Sequence, residues 1–256
     1  MRKSAAATLA LLFMAASCIV AVKPALSSAN DSAENTWVSK APMQQARAGL
    51  GVVAVNGKIY AIGGTTWEKS GQQTSGGVVG TNEVYDPATD TWAFKASMPT
   101  PRELFGIAVY QNKIYCIGRS TSSGVTGINE VYDPATDTWE TKESIPTVRA
   151  GPQANVVNDK IYLIGGFVGN VISGYSYLTL NDVYDPETDS WSTKASMPTG
   201  VSGRFSAVVD GKIYVLMPNP NLNQVYDAGT DSWSLEGVHL CPTFRWSTCL
   251  LVLRLV

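Results

Sequence analysis

Histidine is almost missing from this chain, which has one, His239, among 256 residues. A single imidazole cannot build copper or zinc sites that need two or more histidine ligands. A Ser-His-Asp triad would also depend on this one residue. We therefore predict no catalytic residues, no metal and no other cofactor.

Charged residues are scarce as well, at 16% of the sequence, and the formal net charge is −2. A nucleic-acid surface needs a clustered excess of lysine and arginine, so no nucleic-acid partner is predicted. The few cysteines imply no disulfide framework. Cys116 takes a strand position that small apolar residues hold in other parts of the chain, whereas Cys241 and Cys249 can pair in an oxidising compartment.

Apolar residues are abundant, at 45% of the chain, and so are glycine (23 residues) and proline (13 residues). A chain of this length and composition can bury a substantial core. Its glycines and prolines favour many short strands joined by turns.

The first 29 residues have the pattern of a secretory signal peptide. A basic start, Arg2-Lys3, precedes the apolar run Ala5–Val22, and small residues follow. Two alternatives stay open: an uncleaved membrane anchor, since about 18 apolar residues just span a bilayer, and a lipoprotein site at Cys18. All three interpretations predict a secreted or cell-surface protein whose only membrane attachment is this segment.

An eleven-residue motif, NEVYDPATDTW, occurs at Asn82–Trp92 and again, unchanged, at Asn129–Trp139. Looser copies follow at Asn181–Trp191 and Asn223–Trp233. Counted together with Trp37, the tryptophans of the motif recur about every 49 residues. Lys-Ile-Tyr follows each of the first four tryptophans at a constant distance. Self-similarity of this kind indicates a repeat architecture.

Each repeat unit is predicted to contain four short strands, a to d in chain order. In the first unit, strand a is Gly49–Val55, strand b is Lys58–Gly64, and strands c and d come from the repeated motif. Pairs such as Asn56-Gly57 join strands a and b, and they tolerate the positive φ of a two-residue hairpin turn. Four antiparallel strands repeated radially describe the blade of a β-propeller.

The segments KIYAIGG, EVYDPATDTW and SMPTPR resemble the kelch-repeat family, and the resemblance extends from Trp37 to about Trp233. It implies an all-β, kelch-type β-propeller of four-stranded antiparallel blades at residues 30–237, with four complete blades and partial terminal strands. The double glycine is half lost at Gly118-Arg119 and absent at Met217-Pro218. The residues that carry the repeat are Gly63, Gly64, Gly165, Gly166, Tyr85, Tyr132, Tyr184, Tyr226, Trp92, Trp139, Trp191 and Trp233.

The acidic residues of the repeated motif are predicted to be structural. Asp86 can accept N–H bonds within the turn, Pro87 presets φ, and Asp90 caps the chain that enters strand d. The tyrosine and tryptophan are bulky enough to fill the space between adjacent blades. The alternative is a calcium site at Asp86 and Asp90, which lacks the denser run of acidic ligands that such loops carry.

Function is expected on one face of the propeller. Because successive strands alternate in direction, the a–b and c–d turns share one face, and the d–a and b–c loops share the other, which we call the loop face. The b–c loops differ between units in length and sequence, and variable loops on a rigid scaffold often carry function. In the kelch family this face commonly binds protein partners, and the resemblance implies the same here.

Three arginines, Arg47, Arg102 and Arg149, come shortly before strand a and are expected around the mouth of the central channel. In one interpretation they form a ring of guanidinium groups for a carboxylate, phosphate or acidic peptide ligand. In the other, each arginine hydrogen-bonds carbonyl groups of a neighbouring blade. The fourth unit has Val201 in this place and Arg204 three residues later.

Aromatic residues of the long b–c loops, Trp67, Phe167, Tyr175 and Tyr177, can stack on a protein partner or a sugar, or cover their own loops. Some kelch-like propellers are enzymes. The single histidine excludes the copper oxidases among them, whereas Arg102-Glu103 keeps a sugar epimerase (mutarotase-like) as an alternative function. The predicted function is a non-enzymatic binding module for a protein partner or for an acidic or sugar ligand.

The repeat pattern ends after Trp233, and residues 238–256 form an aberrant tail. At the other end, Trp37 is predicted to start a strand d whose strands a to c are missing. Two hypotheses follow: a truncated or frame-shifted product of a longer kelch protein, or a small four- or five-bladed ring with Thr248–Val256 as its innermost strand. An open ring would expose strand edges that favour association.

Overall fold

The computed structural model describes residues 37–66, 68–70, 73–118, 126–170, 174–201, 205–216 and 222–237, and all regular structure in these residues is β-strand. The chain divides into a segment up to Lys40 and a compact unit from Ala41 onward, which holds every described strand. The predicted signal peptide (1–29) and C-terminal tail (238–256) lie outside the described residues. The predicted all-β class is confirmed.

The strands are short and follow the repeat. The first half of the chain contains β1 (Arg47–Ala48), β2 (Gly51–Val55), β3 (Lys58–Ile62), β4 (Thr65–Thr66), β5 (Glu68–Ser70), β6 (Gln73–Ser75), β7 (Asn82–Asp86), β8 (Thr91–Lys95), β9 (Gly106–Tyr110), β10 (Lys113–Ile117), β11 (Asn129–Asp133) and β12 (Thr138–Lys142). The second half contains β13 (Gln153–Val157), β14 (Lys160–Ile164), β15 (Phe167–Asn170), β16 (Gly174–Tyr177), β17 (Asn181–Asp185), β18 (Ser190–Thr193), β19 (Ser206–Val209), β20 (Lys212–Leu216), β21 (Leu222–Asp227) and β22 (Ser232–Gly237).

Sixteen of these strands form four antiparallel, four-stranded sheets, which we number blades 1 to 4. Their orders are β2-β3-β7-β8, β9-β10-β11-β12, β13-β14-β17-β18 and β19-β20-β21-β22, so each blade runs from strand a to strand d as predicted. The a strands of successive blades contact one another. They therefore form the inner wall of a radial arrangement, as in a propeller.

The a–b hairpin turns have the backbone that the sequence predicts. Both central residues have positive φ in every blade, which suits a two-residue hairpin because its twist matches that of the flanking strands. Asparagine, aspartate and glycine dominate these positions, because asparagine and aspartate tolerate positive φ better than most residues and glycine has no Cβ to oppose it. The turn residues are Asn56, Gly57, Gln111, Asn112, Asn158, Asp159, Asp210 and Gly211.

The core lies between blades rather than within one sheet. Each blade presents a trailing face to the next blade and a leading face to the previous one. The trailing face of blade 1, with Tyr60 and Ile62, packs against Ile114, Tyr132 and Trp139 on the leading face of blade 2. The same arrangement recurs between blades 2 and 3 and between blades 3 and 4. The predicted packing of motif tyrosine and tryptophan between blades is confirmed.

Tyrosines mark each of these three junctions. The strand-b tyrosine of one blade contacts the strand-c tyrosine of the next, with ring centroids 5.9 Å apart for Tyr60–Tyr132 and 5.5 Å apart for Tyr162–Tyr226. Such tilted pairs add to the free energy of area burial. Tyr214 of blade 4 is only half-buried, as is Leu216 beside it, whereas their counterparts in blades 1 to 3 are buried. The trailing face of blade 4 is thus partly open.

The predicted strand d at Trp37 is not present. Residues 37–40 form no strand, and the Trp37 side chain is 90% exposed. The other motif tryptophans pack on the tyrosine of the adjacent strand c, as Trp92 does on Tyr85 at 5.1 Å between ring centroids. A strand d needs a strand c as its hydrogen-bonding partner, and the sequence upstream of Trp37 does not contain the motif that supplies one.

Candidate functional site

The face opposite the loop face is uniform from blade to blade. The lysine that opens each strand b lies in ion-pair distance of the first aspartate of the motif, so the a–b and c–d turns are joined. This aspartate also accepts a hydrogen bond from the N–H two residues later, as Asp86 does from Ala88 at 2.9 Å, which confirms the predicted turn role. The pairs are Lys58–Asp86, Lys113–Asp133, Lys160–Asp185 and Lys212–Asp227.

The second aspartate and the tryptophan of the motif form what we call the junction clamp. At the junction of blades 1 and 2, Asp137 accepts the Ala96 N–H at 2.9 Å, and the Trp139 indole N–H donates to the Ala96 carbonyl at 2.8 Å. Both backbone groups of one residue, just after strand d of the previous blade, are thus satisfied by the next blade. Blades 1, 3 and 4 grip Ala41, Glu143 and Ala195 in the same way.

The clamp aspartate is held by a tyrosine hydroxyl of its own blade. Tyr132 donates to Asp137 at 2.6 Å, and this bond together with the Ala96 amide holds the pKa of Asp137 below its usual value. The corresponding bond to Asp90, together with burial, raises the pKa of Tyr85 to about 12. The carboxylate of this aspartate therefore also bonds across the junction to a backbone N–H of the chain that precedes its blade, a role that the sequence pattern did not predict.

The three arginines of the predicted ring are buried inside their own blades. Arg102 donates to the Glu130 carboxylate at 2.8 Å and to the carbonyls of Cys116 and Ile128 at 3.1 and 2.7 Å. Its side chain has no exposed surface. Burial lowers the pKa of Arg102, and the nearby Cys116 and Glu130 act in the opposite direction. Arginine starts from so high a pKa that it stays charged.

Arg47 and Arg149 repeat this arrangement. Arg47 binds Glu83 at 3.0 Å and Arg149 binds Asp182 at 2.6 Å, each with carbonyl groups of the same blade as further acceptors. This placement corrects the prediction that Arg47, Arg102 and Arg149 form a ligand-binding ring, because the side chains of all three are fully buried. The carbonyl acceptors also belong to the arginine's own blade rather than to a neighbour, because each arginine lies directly over the b and c strands that follow it.

The acidic partners Glu83, Glu130 and Asp182, each directly after the strand-c asparagine, were not predicted from the sequence. Blade 4 has Val201 in place of the arginine and Gln224 in place of the acid. Gln224 bonds the backbone of Thr199 through both ends of its amide, at 2.8 and 2.9 Å. The fourth unit lacks both the arginine and the acid, and this joint loss is the sequence signal that the two residues pair. A buried carboxylate without its arginine is costly, so the two charges are expected to be lost together.

The double glycines let two d–a loops approach one blade closely. Gly63 has φ of 65°, and a Cβ there would lie 2.5 Å from the Arg102 carbonyl oxygen. Gly64 has φ of 98°, and a Cβ there would lie 2.7 Å from the Ala48 carbonyl oxygen. The Gly64 N–H donates a hydrogen bond to the same Arg102 carbonyl oxygen at 2.8 Å. Gly165 and Gly166 have the same surroundings, so the doublet is a junction feature and not a ligand site.

On the loop face, the d–a loops are linked to each other around the channel mouth. The Leu104 N–H donates to the Gly49 carbonyl at 2.9 Å, and the Gly151 N–H donates to the Leu104 carbonyl at 3.0 Å. These residues are equivalent in the repeat, and all have positive φ: 65° at Gly49, 51° at Leu104 and 57° at Gly151. A leucine in this region costs about 1–2 kcal/mol relative to its usual conformations.

A cleft of about 460 Å³ lies at this mouth. The described residues that line it come from the d–a loops and a strands of blades 1 to 3 together with Phe167, and none of these is charged. The Glu103 carboxylate lies next to Gly49, where its Oε2 atom would be 3.3 Å from an added Cβ. The Leu104 side chain is 43% exposed here. The larger apolar residues in its lining are Leu50, Val52, Leu104, Phe105, Ile107 and Phe167.

The β15–β16 hairpin places aromatic side chains beside the cleft. Phe167 is bonded to the d–a loop through both backbone groups of Ala150, at 2.8 and 2.9 Å. Tyr175 packs edge-on against Phe167 with ring centroids 5.1 Å apart, and Tyr177 lies at 6.4 Å. Both tyrosines stay about half exposed, at 48% and 55%. Trp67 and Arg204, the other predicted ligand residues, lie outside the described residues.

Within the described ranges, no group of three or more histidine, cysteine, aspartate or glutamate residues is arranged to hold a metal ion. In the same part of the chain, no helix is long and apolar enough to cross a bilayer. The Cys116 thiol is buried, which raises its pKa to about 12, so it is an unreactive core residue.

Comparison with known proteins identifies the family. A family model described as the KLHDC2/KLHL20/DRC7 Kelch-repeats domain matches residues 31–218, most of the chain. The chain belongs to the kelch-repeat family. Kelch-repeat proteins are generally protein-interaction modules.

Individual kelch relatives match over shorter stretches. The influenza virus NS1A-binding protein homolog of Mus musculus is 44% identical over 77 residues, 30% of this chain and 11% of that protein. Kelch repeat and BTB domain-containing protein 8 of Xenopus tropicalis is 36% identical over 87 residues, 34% of this chain and 14% of that protein. The kelch-like protein terF of Aspergillus terreus is 40% identical over 85 residues, 32% of this chain and 18% of that protein. The matched stretch is thus a small part of each relative.

Proposed function

We propose that this kelch-repeat chain is an extracytoplasmic binding module that captures a protein partner on its loop face. The observation that carries the proposal is the β15–β16 hairpin, which holds Tyr175 and Tyr177 half exposed next to an apolar cleft. Tyrosine and tryptophan side chains are enriched among the residues that contribute most to the binding energy of protein interfaces.

The contrast between the two faces supports this assignment. On the opposite face, the repeated lysines and aspartates are committed to ion pairs and the clamp residues to junction bonds. These contacts are the same in every blade and so distinguish no partner. Only the loop face differs from blade to blade, because its b–c loops are the part of the repeat that junction packing leaves unconstrained.

The acidic ligand considered from the sequence loses its support. Arg47, Arg102 and Arg149, which were expected to bind it, are each paired with a buried carboxylate. No charged side chain is among the described residues that line the cleft. The sugar epimerase alternative is weakened in the same way, because Arg102 is buried and the Glu103 carboxylate accepts the Thr65 hydroxyl at 2.6 Å. We therefore favour binding without catalysis.

An extracytoplasmic location rests on the sequence of residues 1–29. N-terminal sequencing of the chain recovered outside an exporting cell is expected to begin near Ala29. Retention of the whole product inside the cell would overturn the location.

Partner capture tests the loop face. The secreted chain, immobilised and incubated with extracellular proteins of its source, is expected to retain a partner that a Tyr175→Ser/Tyr177→Ser variant loses. Phe94→Ser is the matched control, because Phe94 is similarly exposed, at 58%, but lies on the outermost strand of blade 1. Equal capture by the tyrosine variant and wild type, or loss with Phe94→Ser alone, would contradict the proposal.

A further inference from the structure

The first and last blades each present one half of the junction that joins blades inside the chain. Every internal junction packs the trailing face of one blade against the d–a loop and the leading face of the next. Among the described residues, no blade precedes blade 1 and none follows blade 4. The chain therefore has one leading face and one trailing face, which we call the end faces, without a described partner blade.

The end face of blade 1 includes its own d–a loop but is poorly covered. Ala41 of this loop fills the clamp of blade 1. Met43 and Ile59 are only half-buried, and Val52 is 55% exposed. The residues equivalent to Met43 and Ile59 in the other blades are all buried in junctions: Met98, Ile145, Met197, Ile114, Ile161 and Ile213. What blade 1 lacks is the sheet of a preceding blade.

The end face of blade 4 is the complementary half. Tyr214 and Leu216 are half-buried, and so is Val209, whereas its equivalent in blade 3, Val157, is buried. Phe205, at the start of strand a, is 65% exposed. This face keeps the tyrosine and aliphatic residues that blades 1 to 3 bury. In the described part of the chain it lacks the d–a loop and leading face that cover them elsewhere.

The side chains of the two end faces also match in size. Phe205 comes 14 residues after the preceding motif tryptophan, as Gly51 does in blade 1. A Cβ at Gly51 would lie 2.7 Å from an Ile107 methyl group and 2.8 Å from the Phe105 ring of the next blade. Protein interiors are close-packed, so a phenylalanine at this position needs smaller residues opposite it. The residues of blade 1 equivalent to Ile107 and Phe105 are smaller: Val52 and Leu50.

We propose that a second copy of this chain covers both end faces, so that blade 4 of each copy packs against blade 1 of the other. This head-to-tail contact reproduces the internal junction between two chains. Each copy has four blades, so two copies supply eight, within the range of about four to eight blades in closed propellers. Two identical junctions thus close a ring of two copies. The ring does not depend on which partner the loop face binds.

Analytical ultracentrifugation of the secreted chain over a wide range of concentration tests the ring. Wild type is expected to form a dimer and no larger species. Val52→Lys and Phe205→Glu each place an unpaired charge in both junctions, and each is expected to raise the dimer dissociation constant by about a hundredfold or more. The double variant Val52→Lys/Phe205→Glu brings opposite charges together across each junction and is expected to recover most of the loss.

Leu235→Lys is the matched control. Leu235 is as exposed as Val52, at 55%, but lies on the outermost strand of blade 4. The equivalent residues of blades 2 and 3, Thr141 and Thr193, are also exposed, so junctions do not cover this position. The control is expected to dimerise as wild type does. Circular dichroism checks that every variant keeps the β-sheet spectrum of wild type.

The other outcomes overturn the proposal. A wild-type chain that stays monomeric at every concentration would do so whether or not the variants fold, and protection of β20 from hydrogen exchange in that monomer would assign the cover to the C-terminal tail. Loss of the dimer with Phe205→Glu but not with Val52→Lys would show a symmetric contact between two copies of blade 4. A series of larger species would show an open chain of copies. An equal loss with Leu235→Lys would exclude the end faces as the contact.

Discussion

Arg47, Arg102 and Arg149 lie at the same position of three repeats, and each forms a buried ion pair with an acidic residue of its own blade. Each guanidinium group is paired with one carboxylate and with main-chain carbonyls, so its charge and most of its donors are satisfied without solvent. In blade 4 the positions of the arginine and the acid are taken by two uncharged residues, Val201 and Gln224. The ion pair and its uncharged replacement lie at equivalent positions of the repeat, as expected if desolvation offsets much of the ionic attraction.

Replacing one member of a pair should therefore cost much more than replacing both. Arg149→Val leaves Asp182 buried without its partner and is expected to lower the free energy of unfolding by about 3–5 kcal/mol. The double variant Arg149→Val/Asp182→Gln copies blade 4 and is expected to recover most of this loss. Urea denaturation of wild type, both single variants and the double variant measures the coupling. Additive single losses would contradict the exchangeable-pair interpretation.

The clamp aspartates predict how stability depends on pH. In the folded chain the pKa of Asp137 is lowered, chiefly by the Tyr132 hydroxyl, and that of Asp231 chiefly by the Ala195 amide. At Asp189 burial acts to raise the pKa, but the Tyr184 hydroxyl and other bonds outweigh it. A lowered folded pKa contributes stability above the unfolded value, and this contribution is lost as the pH falls through the folded value.

We therefore expect the urea midpoint to hold between pH 7 and pH 5 and to fall below about pH 4, near the usual aspartate pKa. An Asp137→Asn/Asp189→Asn/Asp231→Asn variant keeps an acceptor oxygen at each clamp but cannot titrate there. Its midpoint is expected to fall less steeply with acid than that of wild type. If the midpoint of the variant fell as steeply with acid as that of wild type, the loss of stability would come instead from the first aspartate of each motif, such as Asp86.

At the scale of elements, the connections between strands decide how blades stack. The d–a loop lies in the gap between two blades, held by the clamp on its outer side and by the double glycine and the arginine on its inner side. The sequence marks these positions by their repetition, but the pattern alone does not separate a junction role from a ligand role. Both roles would fill the same place in every unit.

Gly57 and Gly63 have similar positive φ angles, but only Gly63 is closely approached by another loop. Substituting each by alanine therefore distinguishes the cost of backbone strain from the cost of displacing that loop. Gly63 and Gly57 have φ of 65° and 73°, but a Cβ at Gly57 would meet nothing within 4 Å, whereas one at Gly63 would meet the Arg102 carbonyl at 2.5 Å. Gly57→Ala is expected to cost about 1 kcal/mol. Gly63→Ala adds displacement of the Arg102 loop and should cost at least about 2 kcal/mol more. Equal losses in chemical denaturation would show that loop approach is unimportant.

At the scale of the whole molecule, stability comes from contacts between successive blades, as in other repeat proteins. Blades 1 to 3 each bury a trailing face against the next blade. Blade 4 has the same kind of residues, but Tyr214 and Leu216 are only half-buried. Because its trailing face is less buried, blade 4 is expected to open locally at lower free energy than blade 3.

Hydrogen exchange tests this difference on nearly identical segments. Strands β14 and β20 are KIYLI and KIYVL, and each is the second strand of its blade. In the single chain, for which the Val52→Lys variant serves, amide protons of β20 are expected to exchange faster than those of β14 when both are followed by mass spectrometry in native buffer. Similar protection in the two strands would indicate that the trailing face of blade 4 is covered in solution.

The sequence by itself determined the repeat, the four strands of each blade and the hairpin turns of this kelch protein, but not the β15–β16 hairpin. Alternating apolar residues, Asn-Gly-type pairs and the motif tryptophans act locally or at a fixed period, so their structural meaning can be read without the fold. The loop face also followed from strand direction alone. The identity of Phe167, Tyr175 and Tyr177 as candidate contact residues came from the loops that do not repeat.

Only the tertiary structure decided which repeated residues are buried and which remain available. Arg102 and Glu130 are far apart in sequence, and their pairing depends on how the d–a loop lies over strands b and c. The strain at Leu104 and the cleft beside it arise from loops of three different blades that meet at the channel mouth. Burial and backbone strain depend on contacts between distant segments, and a local sequence pattern does not contain those distances.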